Sequence, residues 1–211
     1  MSDLVPRHLL ERGRQLLDAS PCLIVEGARQ VGKSTFVTML VAGRPATVVT
    51  LDDSQTRHLA AADPDAFVDQ AREATLVIDE IQRSPELILP IKASIDRDRR
   101  PGRFVLTGSA DLLRLQRTPD SLAGRALTIQ LRGFSQGEIR RRPDDFITWL
   151  IHAYHDGFNP WAIRSDLTRS DYVDVLAVGS YPQLVLGDPT VRRSWVNSYL
   201  RQIIQRDSAD V

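Results

Sequence analysis

Gly27-Ala28-Arg29-Gln30-Val31-Gly32-Lys33-Ser34 is the stretch whose reading decides the fold. It fits G-x-x-x-x-G-K-[ST] at every fixed position. Glycines let a backbone wrap closely around phosphate, with its N–H groups pointing inward. The lysine of such a loop, here Lys33, reaches the β- and γ-phosphates of a nucleotide, and the hydroxyl of Ser34 ligates Mg²⁺. The candidate nucleotide-binding residues are therefore Gly27, Ala28, Arg29, Gln30, Val31, Gly32, Lys33, Ser34 and Thr35. A glycine-rich turn with an exposed lysine is the bland alternative. The neighbouring sequence weighs against it, because the apolar run Cys22-Leu23-Ile24-Val25 precedes the loop and a helical stretch from Lys33 to Val41 follows.

Further short apolar runs extend outward from this unit: Thr47 to Leu51, Leu76-Val77-Ile78, Phe104-Val105-Leu106 and Ala126 to Leu131. The continuous runs suit strands buried on both faces, while Ala126 to Leu131 alternates in character. Helical stretches separate them, at Asp65 to Glu73, Glu86 to Asp96 and Asp111 to Gln116, and another, Arg7 to Asp18, precedes the first strand. Strands alternating with helices predict a parallel sheet flanked by helices. After Leu131 only helical candidates follow: Ser135 to Arg142, Asp144 to His155, Ser170 to Ala177 and Thr190 to Arg206, with a turn-rich break from Gly157 to Pro160. The expected organisation is an α/β core over residues 1–133 and a helical region over 134–211.

The third run ends in two acids, Asp79 and Glu80. Beside a phosphate loop, an aspartate at a strand tip holds Mg²⁺, and an acid next to it can orient and deprotonate the attacking water. Asp79 is the candidate metal residue with Ser34, and Glu80 the candidate base. If the strand continued, their side chains would point to opposite faces. The fourth run ends in Thr107-Gly108-Ser109. Thr107 and Ser109 are candidates to sense the γ-phosphate or the water; a plain strand-to-helix turn capped by Ser109 or Asp111 fits the local chemistry equally well.

Taken in order, these segments resemble the AAA+-related prokaryotic P-loop ATPases that carry a C-terminal domain of unknown function. The matching residues are Gly27 to Thr35, Leu51-Asp52-Asp53, Val77-Ile78-Asp79-Glu80-Ile81-Gln82, Leu106-Thr107-Gly108-Ser109 and Ser121-Leu122-Ala123-Gly124-Arg125. Leu131-Arg132-Gly133-Phe134-Ser135 and Gly179-Ser180-Tyr181-Pro182 complete the set. The resemblance implies a P-loop NTPase fold of AAA+ type, with a five-stranded parallel sheet in the order 5-1-4-3-2. It implies ATP as nucleotide and Glu80 as catalytic base. It also implies that Arg125 senses or stabilises the γ-phosphate, from its own chain or from a neighbouring subunit of a homo-oligomer. Members of that family run on past the segment matching Arg206 to Val211, so the helical region is expected to lead to a further C-terminal domain.

Composition narrows the partners. Basic and acidic residues balance at 27 each, so the net charge lends no support to a nucleic-acid-binding surface. The single cysteine, Cys22, excludes an internal disulfide framework or a cysteine zinc site and reads as an inert core thiol. The sequence lacks an apolar run long enough to span a membrane and has no signal-peptide core between Met1 and Leu10, so the reading places the chain in the cytoplasm.

The basic clusters Arg97 to Arg103 and Arg140-Arg141-Arg142 read as solvated helix ends. His152 and His155 would need further ligands from elsewhere to hold a metal, and Trp149, Trp161 and Trp195 read as packing anchors. Along the last helix, Trp195, Val196, Tyr199, Leu200, Ile203 and Ile204 form a wide apolar stripe, to be covered by the preceding helices, by further chain or by a partner protein. The leading function is Mg-dependent ATP hydrolysis that switches an attached or partner domain. A small-molecule kinase and a nucleotide-gated binding module with negligible hydrolysis are the alternatives. A GTPase is disfavoured, because no N-K-x-D segment occurs.

Overall fold

The computed structural model describes residues 4–108, 122–143, 146–157 and 165–207. Its described residues form two compact units, one within Pro6–Arg132 and the other of residues 133–207 with Leu4 and Val5.

In the larger unit the elements are α1 (Leu9–Ala19), β1 (Cys22–Glu26), α2 (Lys33–Leu40), β2 (Ala46–Thr50), α3 (Ser54–Ala62) and α4 (Pro64–Asp69). After them come β3 (Thr75–Asp79), 3-10 turns at Ile81–Arg83 and Pro85–Leu87, α5 (Ile88–Arg97), β4 (Phe104–Gly108) and β5 (Ala126–Gln130). All strand pairings are parallel and the order is β2-β3-β4-β1-β5, the expected 5-1-4-3-2 read from the other edge. The expected helix at Asp111 to Gln116 lies outside the described residues.

Alternation along the strands sorts the core into two layers. Cys22, Ile24, Leu76, Ile78, Phe104 and Leu106 join Val68 of α4 and Ile88, Ile91 and Ile95 of α5 in one buried cluster. The intervening residues Leu23, Val25, Val77 and Val105 are also buried, and they face the layer that holds Phe36 and Leu40 of α2. Gly13 of α1 fits there because a Cβ would come within 3.0 Å of Leu40 and 3.2 Å of the Phe36 ring. Each fully buried Leu, Ile or Phe contributes about 1.5–3 kcal/mol relative to exposure.

Burial on both faces holds for β1, β3 and β4 but not for the outer strands. In β2 exposed and half-buried residues alternate, with Val48 60% exposed, and in β5 Leu127, Thr128 and Gln130 are exposed. Edge position explains the difference, since helices cover the middle of the sheet first. Two further departures concern helices. α3 was not expected: it buries only Ala60, so its sequence carries no apolar stripe. Its start is nonetheless encoded, because Asp53 accepts from the Thr56 N–H at 2.8 Å. The expected helix from Asp65 is α4, which starts at Pro64 under an Asp63 cap and ends at Asp69.

The cluster Arg97 to Arg103 is bound into this frame. Asp69 accepts from Ser94 Oγ at 2.6 Å and from Arg72 and Arg97 at 3.0 Å each. The buried Arg103 donates to Ser94 Oγ at 2.7 Å and to the Ser94 and Asp98 carbonyls. The Ser94 hydrogen bond, helped by the arginines, holds the Asp69 carboxyl below its ordinary range. Burial pushes the Cys22 thiol well above its ordinary range, which keeps it an inert core group.

The second unit comprises α6 (Gln136–Ile139), α7 (Phe146–Asp156), α8 (Arg169–Val178), α9 (Pro182–Leu186), a 3-10 turn at Pro189–Val191 and α10 (Arg192–Asp207). Capping boxes, Ser135 with Glu138 and Thr168 with Asp171, start α6 and α8. Gly133 is required where it stands: a Cβ would lie 2.3 Å from Ser180 Oγ, and the next residue, Phe134, donates its N–H to the Ser180 carbonyl at 2.7 Å. Trp149 stacks on Phe146. On α10, Trp195 and Tyr199 stack on each other, and both rings pack against Tyr181 of the loop before α9. The remaining stripe residues Val196, Leu200, Ile203 and Ile204 are exposed. Trp161 lies outside the described residues.

Candidate nucleotide site

Parallel strands bring their C-terminal ends to one edge, the usual place for ligands in open α/β sheets. Glu26, Asp79 and Gly108 end neighbouring strands there, because the pairing order sets β4 between β1 and β3.

The loop between β1 and α2 has the backbone that its sequence implies. Gly32 is left-handed at φ 92° and passes directly into the first turn of α2. Gln30 also has positive φ, at 62°. Gly27 is fixed by proximity rather than by φ: a Cβ there would sit 2.4 Å from the backbone oxygen of Leu131, at the exit of β5. The loop is braced from outside by Arg7, a buried side chain just before α1. Arg7 donates from Nη1 to the Val31 carbonyl at 3.2 Å and from Nη2 to the Arg132 carbonyl at 2.6 Å. Sequence reading missed this arginine, since one basic residue ahead of an amphipathic helix carries no pattern.

Lys33 opens α2 with its side chain only 5% exposed. Its Nζ donates to the Gly27 and Ala28 carbonyls at 3.2 and 3.3 Å and lies 3.8 Å from Glu80 Oε1. A buried ammonium needs such partners, because desolvation without them is costly. Next along the helix, Ser34 Oγ donates to Asp79 Oδ2 at 2.8 Å.

Thr107, at the end of β4, is fully buried beneath the acidic pair. Its hydroxyl donates to Asp79 Oδ1 and accepts the Glu80 N–H at 3.1 Å. A hydroxyl has one hydrogen, and here Asp79 takes it. Thr107 is therefore placed to fix the acids rather than to face a phosphate or a water. Ser109 lies outside the described residues.

The two acids do not simply alternate. β3 stops at Asp79, and Glu80 takes the left-handed conformation, φ 59° and ψ 47°. A non-glycine residue in that region stores about 1–3 kcal/mol of strain and persists only where the surroundings hold it. The turn brings the Glu80 carboxylate toward Lys33 while Asp79 stays on Ser34. Gln82 Nε2 donates to Glu80 Oε2.

Arg125 is not brought to this cluster. It precedes β5, at the opposite end of the sheet, about 16 Å away by the rise of a five-residue strand. There it forms a bidentate pair with Asp96 of α5, Nε–Oδ1 2.7 Å and Nη2–Oδ2 2.9 Å. That pair holds Asp96 below and Arg125 above their ordinary ranges. Of the two placements left open for Arg125, its geometry disfavours the one within its own chain, where the guanidinium is occupied by Asp96 and remote from the loop.

Among the described residues no cluster of three or more His, Cys, Asp or Glu side chains is arranged to hold a metal. Ser34 and Asp79 do fit a divalent ion whose remaining ligands are oxygens of phosphate and water: two hard oxygen donors meet beside the loop. No helix among the described residues is long and apolar enough to cross a membrane.

A strand, a glycine loop, a buried lysine and an acid-tipped strand one place removed in the sheet define a P-loop NTPase fold. Residues 19–140 match the family model described as "AAA domain", and the chain belongs to that family. Two mycobacterial proteins, uncharacterized protein Rv2008c of Mycobacterium tuberculosis and uncharacterized protein Mb2031c of Mycobacterium bovis, are each 29% identical over 195 residues. The match covers 90% of this chain but 43% of each relative, so the chain spans less than half the length of these curated relatives. Among solved structures, the Walker-type ATPase PABY2304 of Pyrococcus abyssi shares the fold with a TM-score of 0.55 at 15% identity, over 99% of this chain and 75% of that one. AMPPCP-bound DnaA from Aquifex aeolicus gives 0.51 at 14% identity, over 88% and 59%.

Proposed function

We propose that this chain binds ATP with Mg²⁺, hydrolyses it, and uses the cycle to switch an attached domain or a partner protein. One observation carries the reading: Lys33, Ser34, Asp79, Glu80 and Thr107, drawn from three segments of sequence, meet in one bonded cluster at the end of the sheet. Residues Gly27 to Thr35 hold the phosphates through loop N–H groups and the Lys33 ammonium. Ser34 and Asp79 hold the metal, which when bound neutralises charge on the phosphate oxygens. Glu80 orients the attacking water and accepts its proton.

The switching part is supported by the exit of β5. Leu131 abuts Gly27, and Arg7 ties Arg132 to Val31, so the residues just ahead of the helical unit are fastened to the phosphate loop. A role for Arg125 on the γ-phosphate would require a second copy of the chain, that is, a homo-oligomer. Nucleic acid is not favoured as a partner by the balanced charge.

Phosphate release from ATP, without an added acceptor, tests hydrolysis against the kinase and the passive-binding readings. Release that requires Mg²⁺ and disappears in Lys33→Ala supports it. Tight ATP binding with no release from the wild-type chain would exclude hydrolysis and leave the kinase and binding-module readings.

A further inference from the structure

We infer that Gln82 is a positioning residue for Glu80: its side-chain amide holds the glutamate in the orientation from which it acts on the water. This rests on the reading of Glu80 as the base.

The inference starts from the turn after β3. With Glu80 in the left-handed region the strand direction is abandoned, and a 3-10 turn, Ile81–Arg83, begins at once. The Arg83 N–H bonds to the Glu80 carbonyl at 3.0 Å and the Ser84 N–H to the Ile81 carbonyl at 3.0 Å. Ile81 is completely buried in the core cluster, and Arg83 pairs with Asp52 beyond β2 at 2.5 Å. Gln82 thus sits between two anchored neighbours, on a turn with little freedom. From there Nε2 donates to Glu80 Oε2, while Oε1 of the same carboxylate faces Lys33 at 3.8 Å.

The carboxylate is therefore held on both oxygens, by a neutral donor on one and a cation on the other. The two partners differ in what they can do. Lys33 is also a candidate phosphate ligand, so its contact with Glu80 competes with that task. Among the described residues the Gln82 amide donates to no other acceptor. Its Oε1 is buried and has no hydrogen-bond partner, a loss that costs free energy. The opposite amide orientation would set Oε1 against the glutamate oxygen, acceptor against acceptor, so the observed orientation is the one the site requires. Among the described residues the amide's bond goes to the base. A neutral donor suits that purpose, since it fixes the carboxylate without adding the full charge that would suppress its basicity.

The test compares Gln82→Met, which keeps the length of the side chain and removes the donor, with Gln82→Glu, which sets a like charge against Glu80. Both are measured for Mg-ATP turnover and for affinity for a fluorescent ATP analogue, alone and combined with Glu80→Gln. In Gln82→Met, kcat should fall roughly tenfold while KM and nucleotide affinity stay within about twofold. Gln82→Glu should fall further. In the Glu80→Gln background, Gln82→Met should change the residual rate by less than about twofold, because residues acting as a unit are not additive.

Full turnover in Gln82→Met would overturn the inference. So would an equal loss in both backgrounds, or a loss of nucleotide affinity that tracks the loss of kcat; either would mark a structural role. Full turnover in Glu80→Gln alone would instead remove Glu80 as the base, and the positioning role with it.

Discussion

Ser34 Oγ donates to Asp79 Oδ2 at 2.8 Å, joining two residues 45 positions apart in the chain. One comes from the first turn of α2 and the other from the tip of β3, and the sheet order alone places them together. If they share a metal, each should affect only the metal-dependent part of binding. Asp79→Ala is expected to weaken ATP binding in Mg²⁺ by about tenfold or more, with little change in EDTA. Fluorescent-analogue titrations with and without Mg²⁺ check this.

Arg7 should report on the loop from behind. Arg7→Ala would leave the Val31 and Arg132 carbonyls without its guanidinium, each a loss of about 1–3 kcal/mol where buried. Thermal unfolding should therefore shift down by several degrees, and nucleotide affinity should fall although Arg7 lies outside the Gly27–Thr35 loop. Nucleotide affinity equal to wild type would show that the loop keeps its shape without this brace.

Gly27→Ala is expected to be more damaging to binding than its single methyl suggests. The obstacle is the Leu131 carbonyl, 2.4 Å from the added carbon, and backbone cannot step aside as a side-chain tip can. ATP affinity should drop at least about tenfold while far-UV circular dichroism keeps the wild-type helix signal. The alanine variant binding as tightly as wild type would contradict the close approach.

Asp69 gives a pH prediction with a definite sign. Its folded-state carboxyl is held below the ordinary range by Ser94 and the surrounding arginines. A depressed folded value means stability that is present above the unfolded value, about 3.9, and lost as pH falls through the folded value. Asp69→Asn should lower the melting temperature by a constant amount between pH 5 and pH 8. The gap to wild type should close progressively below about pH 4. A gap that widens on acidification would reverse the assignment.

If Arg125 acts on phosphate at all, it does so across a subunit boundary. Turnover per chain should then rise with protein concentration. Mixing Arg125→Ala with Lys33→Ala should restore activity at interfaces that combine an intact loop with an intact arginine. Because Arg125 also ties β5 to α5 through Asp96, a purely structural role predicts a lowered melting temperature and no rescue.

Much of this was legible in the sequence, for physical reasons. Local signals were strong where one residue type alone can serve: the glycines and lysine of the loop, the apolar runs of β1, β3 and β4, and the acids after Ile78. The left-handed turn at Glu80 was not legible, because it depends on Ile81 being anchored in the core and Thr107 receiving the Glu80 N–H from another strand. The burial of Thr107 and the remoteness of Arg125 escaped for a related cause. A motif gives the order of residues, whereas their placement follows from which strand lies next to which. Val48 on the exposed edge and the unstriped helix α3 show the same limit, since exposure depends on what covers an element.

The most direct measurement is a paired one on Glu80→Gln: affinity for ATP with Mg²⁺, and single-turnover phosphate release, each against the wild type. The account predicts unchanged affinity, within about twofold, and release slowed by roughly a hundredfold or more, because the substitution keeps shape and hydrogen bonding but removes the base. Release at the wild-type rate from a variant that binds ATP normally would contradict it.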